Sequence, residues 1–228
     1  MPEPAITAAI IGAIATAASQ AANELATAVR DAGSSSIGAI ITNESHHSYD
    51  LKSYKTHHGN YVQAPSVTLP GYFYEFTKFM NAAKVHYGNN PSDSELDEQL
   101  QKWQAKDLFQ IYAAGTTAKL DGIGGGMGFE TSLRLNSNSG GSFHQIALLV
   151  RKIPRGSYGI GLGISNYDFY SDAKNDTKGD FIRDHIKDVH TKHCQYSDGS
   201  GSISVELDGI KVTASAPGQV NAITISDA

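Results

Sequence analysis

The residues of this chain best suited to chemistry fall in two clusters. His185, His190, His193 and Cys194 lie within ten positions of one another, and imidazole and thiolate groups of this kind bind zinc. A closed zinc site, however, needs paired ligands at short, regular spacings, and those spacings are missing. The charged segment from Arg183 to Lys192 therefore reads as a solvated surface, and no metal is expected. The glycines between Asp121 and Gly128 fit neither phosphate-loop register and read as a turn or bulge. No nucleophile elbow or paired acidic motif is present, so the sequence predicts a protein that is not an enzyme and carries no cofactor. The second cluster is Tyr167, Phe169 and Tyr170, set among the turn formers Ser165, Asn166, Asp168, Ser171 and Asp172. Aromatic rings on a loop favour a water–membrane interface and hold quaternary ammonium groups by cation–π attraction. That chemistry is binding rather than catalysis.

Elements able to position such a loop must come from the rest of the chain. With 228 residues and 40% hydrophobic content there is enough material for one good core plus appendages. A net charge of −5 and a pI near 6.0 disfavour nucleic acid as a partner, and disfavour binding to anionic lipid by charge alone. Membrane affinity would have to come from apolar and aromatic contact. The single Cys194 excludes an internal disulfide framework.

The first 33 residues form a unit of their own. Between Glu3 and Glu24 there is no charge, and at 100° per residue Ile6, Ile10, Ile14, Ala18, Ala21, Leu25 and Val29 make one stripe. Thr16, Ser19, Gln20, Asn23, Thr27 and Arg30 gather opposite. Roughly 25 helical residues reach about 38 Å, enough for a hydrocarbon core of about 30 Å. A signal peptide cleaved near Ala15-Thr16-Ala17 is disfavoured by the acidic flank Met1 to Pro4. A permanent anchor is disfavoured by the polar interruptions. The reading is a helix that docks its isoleucine stripe in water and enters a bilayer later through Ile6, Ile10, Ile14, Leu25 and Val29. Its Thr16, Gln20, Asn23 and Thr27 face then lines a lumen, because lone polar groups in hydrocarbon need neighbouring subunits or water to satisfy them. Asp31 to Ser36 supplies a glycine cap and hinge.

Residues 34–228 switch to a period of two. Strands are predicted at Ile37 to Thr42, Tyr49 to Thr56, Tyr61 to Leu69, Phe129 to Leu135, Ile146 to Lys152, Gly159 to Ile164, and Val220 to Ile225. Ile203, Val205 and Leu207 alternate into an Asp208-Gly209 turn, and Ile210, Val212 and Ala214 alternate back. From Gly71 to Gly115 the period returns to that of a helix: Phe73, Phe76, Phe79 and Ala83 share a face, and Ser92 to Glu95 is a capping box opening a second helix through Leu96, Leu100, Trp103 and Leu108. The predicted fold is mainly β, a sandwich of antiparallel strands with an N-terminal amphipathic helix and a helical insertion at about 71–115 lying outside it.

Three stretches resemble the actinoporins. Gly159-Ile-Gly-Leu-Gly-Ile-Ser-Asn-Tyr167-Asp-Phe-Tyr170-Ser-Asp172 is similar to the strand and D-Y-x-W-Y-S-N loop that form part of that family's choline-headgroup site. Ile37 to Ser45 resembles its first strand with an N-E-S turn, and Gly209 to Pro217 its G-I-x-T-S-A hairpin. The resemblance implies a secreted, water-soluble cytolysin that docks on the target-cell membrane through phosphocholine headgroups such as sphingomyelin. It would then oligomerise with itself and line a pore with its N-terminal helix. By the same resemblance Gly163, Ser165, Tyr167, Phe169 and Tyr170 would form the headgroup site. The family's Ser and Pro in that strand are Gly163 and Ser165 here, and its paired Trp falls on Ala173-Lys174, which implies a weaker or differently aimed grip. Phe181 to Ser197 has no counterpart of the family's tyrosine-rich second loop. Fungal fruit-body lectins have a turn similar to Ile164-Ser165-Asn166-Tyr167 without the helix, and imply the alternative of a non-lytic, lectin-like glycan- or lipid-binding module.

Overall fold

Apolar residues at alternate positions give a strand one face to bury, and this chain meets that demand by stacking two six-stranded sheets. The computed structural model describes residues 12, 16, 20, 23–24, 26–27, 37–58, 60–63, 68–102, 109–115, 129–138, 142–152, 157–170 and 179–228. Its strands are β1 (Ile37–Glu44), β2 (Tyr49–His58), β3 (Asn60–Gln63), β4 (Thr68–Leu69), β5 (Phe109–Gly115), β6 (Phe129–Ser137), β7 (Gln145–Lys152), β8 (Tyr158–Ser165), β9 (Cys194–Ser197), β10 (Ile203–Leu207), β11 (Ile210–Ala214) and β12 (Val220–Asp227). The first sheet runs β10-β11-β12-β1-β5-β3 and the second β4-β2-β6-β7-β8-β9. The fold is the mainly β sandwich expected, antiparallel except where β1 runs parallel to β12.

Inward residues of both sheets interlock as one core: Ile37, Ala39 and Ile41 of β1, Val212, Ile223 and Ile225 from the C-terminal hairpin, and Leu133, Leu148 and Leu162 from the facing sheet. Each of the Ile, Leu and Val side chains among them, fully buried, contributes about 1.5–3 kcal/mol of transfer free energy. Ile40 points away from this core and is nonetheless only 2% exposed, so the first sheet is covered on its outer face as well.

Local signals explain the ends of several elements. Asp208 and Gly209 both take positive φ, 49° and 81°, and join Leu207 directly to Ile210, the conformation a two-residue hairpin of right-handed twist requires. Glu95 closes the start of the helix Asp93–Lys102, its carboxylate accepting both the Ser92 N–H and the Ser92 hydroxyl at 2.7 Å. Asn43 is fully buried because its side chain builds the turn after β1. Its amide nitrogen donates to the His47 and Leu69 carbonyls, and its oxygen accepts from the Ser45 N–H and hydroxyl.

The structure corrects three expectations. Tyr61 to Leu69 is two short strands in different sheets rather than one. The helical insertion ends earlier: Tyr72–Tyr87 and Asp93–Lys102 are helices, with Phe79, Ala83 and Leu96 buried outside the sandwich core, but Phe109–Gly115 is a strand between β1 and β3. Its sequence, apolar but for Gln110, lacks the alternation that marks a strand with one solvated face. The extension of the second helix to Trp103 and Leu108 lies outside the described residues. Third, the segment read only as solvated surface from Arg183 begins inside a helix, Gly179–Asp188, which keeps its charges outward but covers the outer face of the second sheet through Ile182 and Ile186.

In the N-terminal segment Gly12, Thr16, Gln20, Asn23, Glu24, Ala26 and Thr27 are helical, and the proposed lumen residues Thr16, Gln20, Asn23 and Thr27 form one exposed stripe. Thr16 and Thr27 return their hydroxyls to the carbonyls of Gly12 and Asn23, four residues earlier. The stripe Ile6, Ile10, Ile14, Leu25 and Val29 and the hinge at 31–36 lie outside the described residues. Among those described, no helix is long and apolar enough to cross a membrane.

Candidate aromatic binding site

The site is founded on an absence of side chains. β8 places Gly159, Gly161 and Gly163 on its outer face, and a Cβ at each would overlap, in order, the Tyr196 hydroxyl, the Ile186 methyl and the Tyr170 hydroxyl. This bare strip is what lets the covering helix and the loop after β8 lie close to the sheet. Ala147, Leu149, Tyr170, Ile182, Ile186 and Cys194 form the resulting satellite core. Glu130, 5% exposed, secures the helix from below, pairing with Arg151 at 2.9 Å and with Arg183 of the helix at 3.7 Å.

Gln145 sets the loop. Fully buried at the start of β7, it donates from its amide nitrogen to Asp168 at 2.6 Å and Asn136 at 3.0 Å, while its oxygen accepts the Tyr170 N–H at 2.5 Å. Ser165 accepts the Tyr167 N–H at 3.2 Å, and Asn166 donates to the Asp208 carboxylate at 2.7 Å, tying the loop to the β10–β11 turn. The rings this scaffold presents are Tyr167, 61% exposed, Phe169, half-buried, and Phe181 of the covering helix, 37% exposed. Phe169 is the hub, meeting Tyr167 at 5.6 Å, Phe181 at 5.6 Å and His185 at 4.9 Å, all edge-on. Burial holds the His185 imidazole below its usual range, so at neutral pH its ring extends the apolar patch without charge.

Beside the patch stands Arg134. Its Nη1 donates to the Tyr170 carbonyl at 3.3 Å, its Nε is buried with no partner, and no carboxylate pairs with it among the described residues. A guanidinium so placed has donors left for an anion.

Of the five residues expected to hold a headgroup, the structure presents two. Tyr167 is exposed and Phe169 partly so, but Tyr170 is only 3% exposed, which corrects its expected place on the surface. Its phenol fills the volume over Gly163, near Cys194, and burial pushes its pKa up. Gly163 is therefore covered by Tyr170 itself, and Ser165, 5% exposed, turns its hydroxyl to the loop backbone. Sequence reasoning missed Phe181, Gln145 and Arg134, and weighed His185 only as a metal ligand. Phe181 and His185 carried a signal, since they are one helical turn apart beside Ile182 and Ile186. Gln145 and Arg134 carried none, their roles depending on partners distant in sequence. Among the described residues no cluster fits a metal ion; Cys194 faces the His185 carbonyl at 3.9 Å, and His193 bonds the Glu206 carbonyl at 2.8 Å.

The class defined by this arrangement is a two-sheet sandwich bearing an aromatic patch at one end, formed by a loop and a covering helix. No protein-family model matches the chain, and no curated protein matches it by sequence. Among solved structures, the crystal structure of the lipid-binding protein Nakanori is similar, with a TM-score of 0.51 at 9% identity over 91% of this chain and 78% of that one. At that identity the likeness is one of fold.

Proposed function

We propose that this protein binds membrane lipids through Tyr167, Phe169 and Phe181 and then perforates the membrane as a homo-oligomer. The observation that carries the reading is the exposed, edge-packed ring cluster at one sandwich end, where aromatic rings gain by entering an interface. The shared fold of a lipid-binding protein supports it. The rings can hold a quaternary ammonium such as that of phosphocholine or sphingomyelin for about 0.5–2 kcal/mol each, and Arg134 offers donors to the adjoining phosphate. Pore formation rests on the N-terminal helix, whose Thr16, Gln20, Asn23 and Thr27 stripe is continuous and suited to a lumen. Secretion and action on a target cell belong to the same reading.

A glycan-binding, non-lytic module is the second reading, favoured by the Asn166–Asp208 bond beside Tyr167, which sets polar groups next to a ring able to stack on a sugar. Dye-loaded phosphatidylcholine–sphingomyelin vesicles separate the two. Full-length protein should bind and leak dye. A Tyr167→Ala, Phe181→Ala variant should lose binding by about tenfold or more with its melting temperature kept. Protein lacking residues 1–33 should bind without leakage. Undiminished binding by the folded double variant would remove the aromatic patch from the mechanism, and leakage by the truncated protein would remove the helix.

A further inference from the structure

At the end of the sandwich that carries the patch, three histidines stand in a row. His46 and His47 follow β1 and His144 precedes β7; ring centroids are 4.0 Å apart in the first pair and 4.9 Å in the second. His47 is 2% exposed and His144 not at all; the His144 ring nitrogens are sealed from solvent and face the backbone of Asp208 and Ser142 without a well-formed hydrogen bond. Its backbone is fixed on Ser137, accepting the Ser137 N–H at 2.8 Å and donating to the Ser137 hydroxyl at 2.8 Å. The next residue is Gln145, which holds the aromatic loop. The charged neighbours of His144 are His47 from the β1–β2 turn and Asp208 from the β10–β11 turn. Behind His47 stand His46, which contacts Asp227 at 2.6 Å, and the buried phenol of Tyr49.

A neutral imidazole tolerates that place, but an imidazolium does not. It carries two donors in a site where the backbone of Asp208 and Ser142 does not offset the lost hydration, and a protonated His47 would repel it. Burial first, and His47 next, hold His144 below its ordinary pKa; the Asp208 carboxylate, which also serves Asn166, and the backbone of Asp208 and Ser142 act the other way without prevailing. His144 is joined to the loop through the adjacent Gln145, and Asp208 through Asn166.

We propose that the His46–His47–His144 stack is an acid-operated latch on the aromatic loop. On acidification, protonation displaces the His144 ring from its buried site, loosens the Gln145 and Asn166 ties, and brings Phe169 and Tyr170 into play for membrane attachment. This rests on the lipid-binding reading and adds the condition under which the site is at full strength. Nine histidines set against a net charge of −5 act in the same sense, since acid also removes the repulsion from anionic surfaces.

The test uses wild type, His144→Phe and His144→Gln at pH 7.5 and 5.5. Amide exchange of Ser137 and Tyr170, corrected for its intrinsic pH dependence, is measured without vesicles. Binding is measured on zwitterionic phosphatidylcholine–sphingomyelin vesicles, where surface charge plays no part. Exchange and binding of the wild type should both rise on acidification, binding by about tenfold, a typical coupling strength, while the variants show neither response. Unchanged loop amides in the wild type, or a variant that keeps the response, would overturn the latch. Acid-accelerated exchange with no vesicle binding at either pH would uphold the latch and sink the lipid reading. Should neither variant fold, the wild-type titration decides: the His144 ring carbon shift and Tyr170 exchange must change with one midpoint, and separate midpoints overturn the proposal.

Discussion

The Tyr170 hydroxyl lies against the Cα of Gly163, in space that any other residue would fill with its own Cβ. The contact explains how a tyrosine from a surface loop comes to be buried. It also yields a steric prediction, because no positive φ is involved at Gly163. Gly163→Ala should destabilise the protein by about 1–3 kcal/mol, the usual cost of overpacking, and lower the melting temperature by several degrees. Removing the hydroxyl in a Gly163→Ala, Tyr170→Phe double variant should restore part of the loss. A double-mutant cycle showing simple additivity would mean that the two residues do not share this space.

A second prediction concerns alkali. Cys194 and Tyr170 are neutral in the folded protein and burial raises both pKa values, so the unfolded chain ionises first. The stability they contribute is complete below the ordinary thiol and phenol values of 9.0 and 10.0 and is lost as pH rises beyond them. Stability should therefore fall from about pH 9 upward, by up to about 1.4 kcal/mol per pH unit per group, and the melting temperature with it. Tyr49 and Tyr196, also raised, add to the fall only above the phenol value. In Cys194→Ala the onset should move up by about a unit; an unchanged onset would show that the thiol is not involved.

The buried outward face of Ile40 leads to a third. If the N-terminal isoleucine stripe is what covers that face in water, cysteines at Ile40 and at one of Ile6, Ile10 or Ile14, in a Cys194→Ala background, should form a disulfide spontaneously. The locked protein should bind vesicles but not leak dye, and reduction should restore leakage. Leakage by the oxidised protein would exclude helix release as a step.

The sequence made some of this legible because the relevant physics was local. Asp208-Gly209 specifies its own turn, Ser92 and Glu95 cap the helix between them, and Ile210, Val212 and Ala214 show their buried face by alternation. Where the deciding partner was remote, reading failed. Phe109–Gly115 has no polar alternation, and only its two hydrogen-bonded neighbours make it a strand. The helix Gly179–Asp188 was masked by its charges, although Ile182 and Ile186 were correctly spaced. Tyr170 looked like a surface aromatic because its cavity is made on another element, yet the alternation of Gly159, Gly161 and Gly163 had already marked one face of β8 as waiting for something bulky.

The parallel pairing of β1 with β12 has a mechanical meaning. Any pull on the N-terminal segment reaches the sandwich at Ile37, along the axis of a strand bonded on one side to β12 from Gly38 to Glu44 and on the other to β5 from Ile37 to Thr42. Such a load shears both ladders at once instead of peeling them bond by bond. The first residues of β1 are clamped besides, the Gly38 N–H donating to the Gln219 carbonyl at 2.8 Å and the buried Asn221 amide donating to the Gly38 carbonyl at 3.1 Å. A pull on that end can therefore drag on the body without unravelling it, so the junction at Ile37 is a strong point of the molecule.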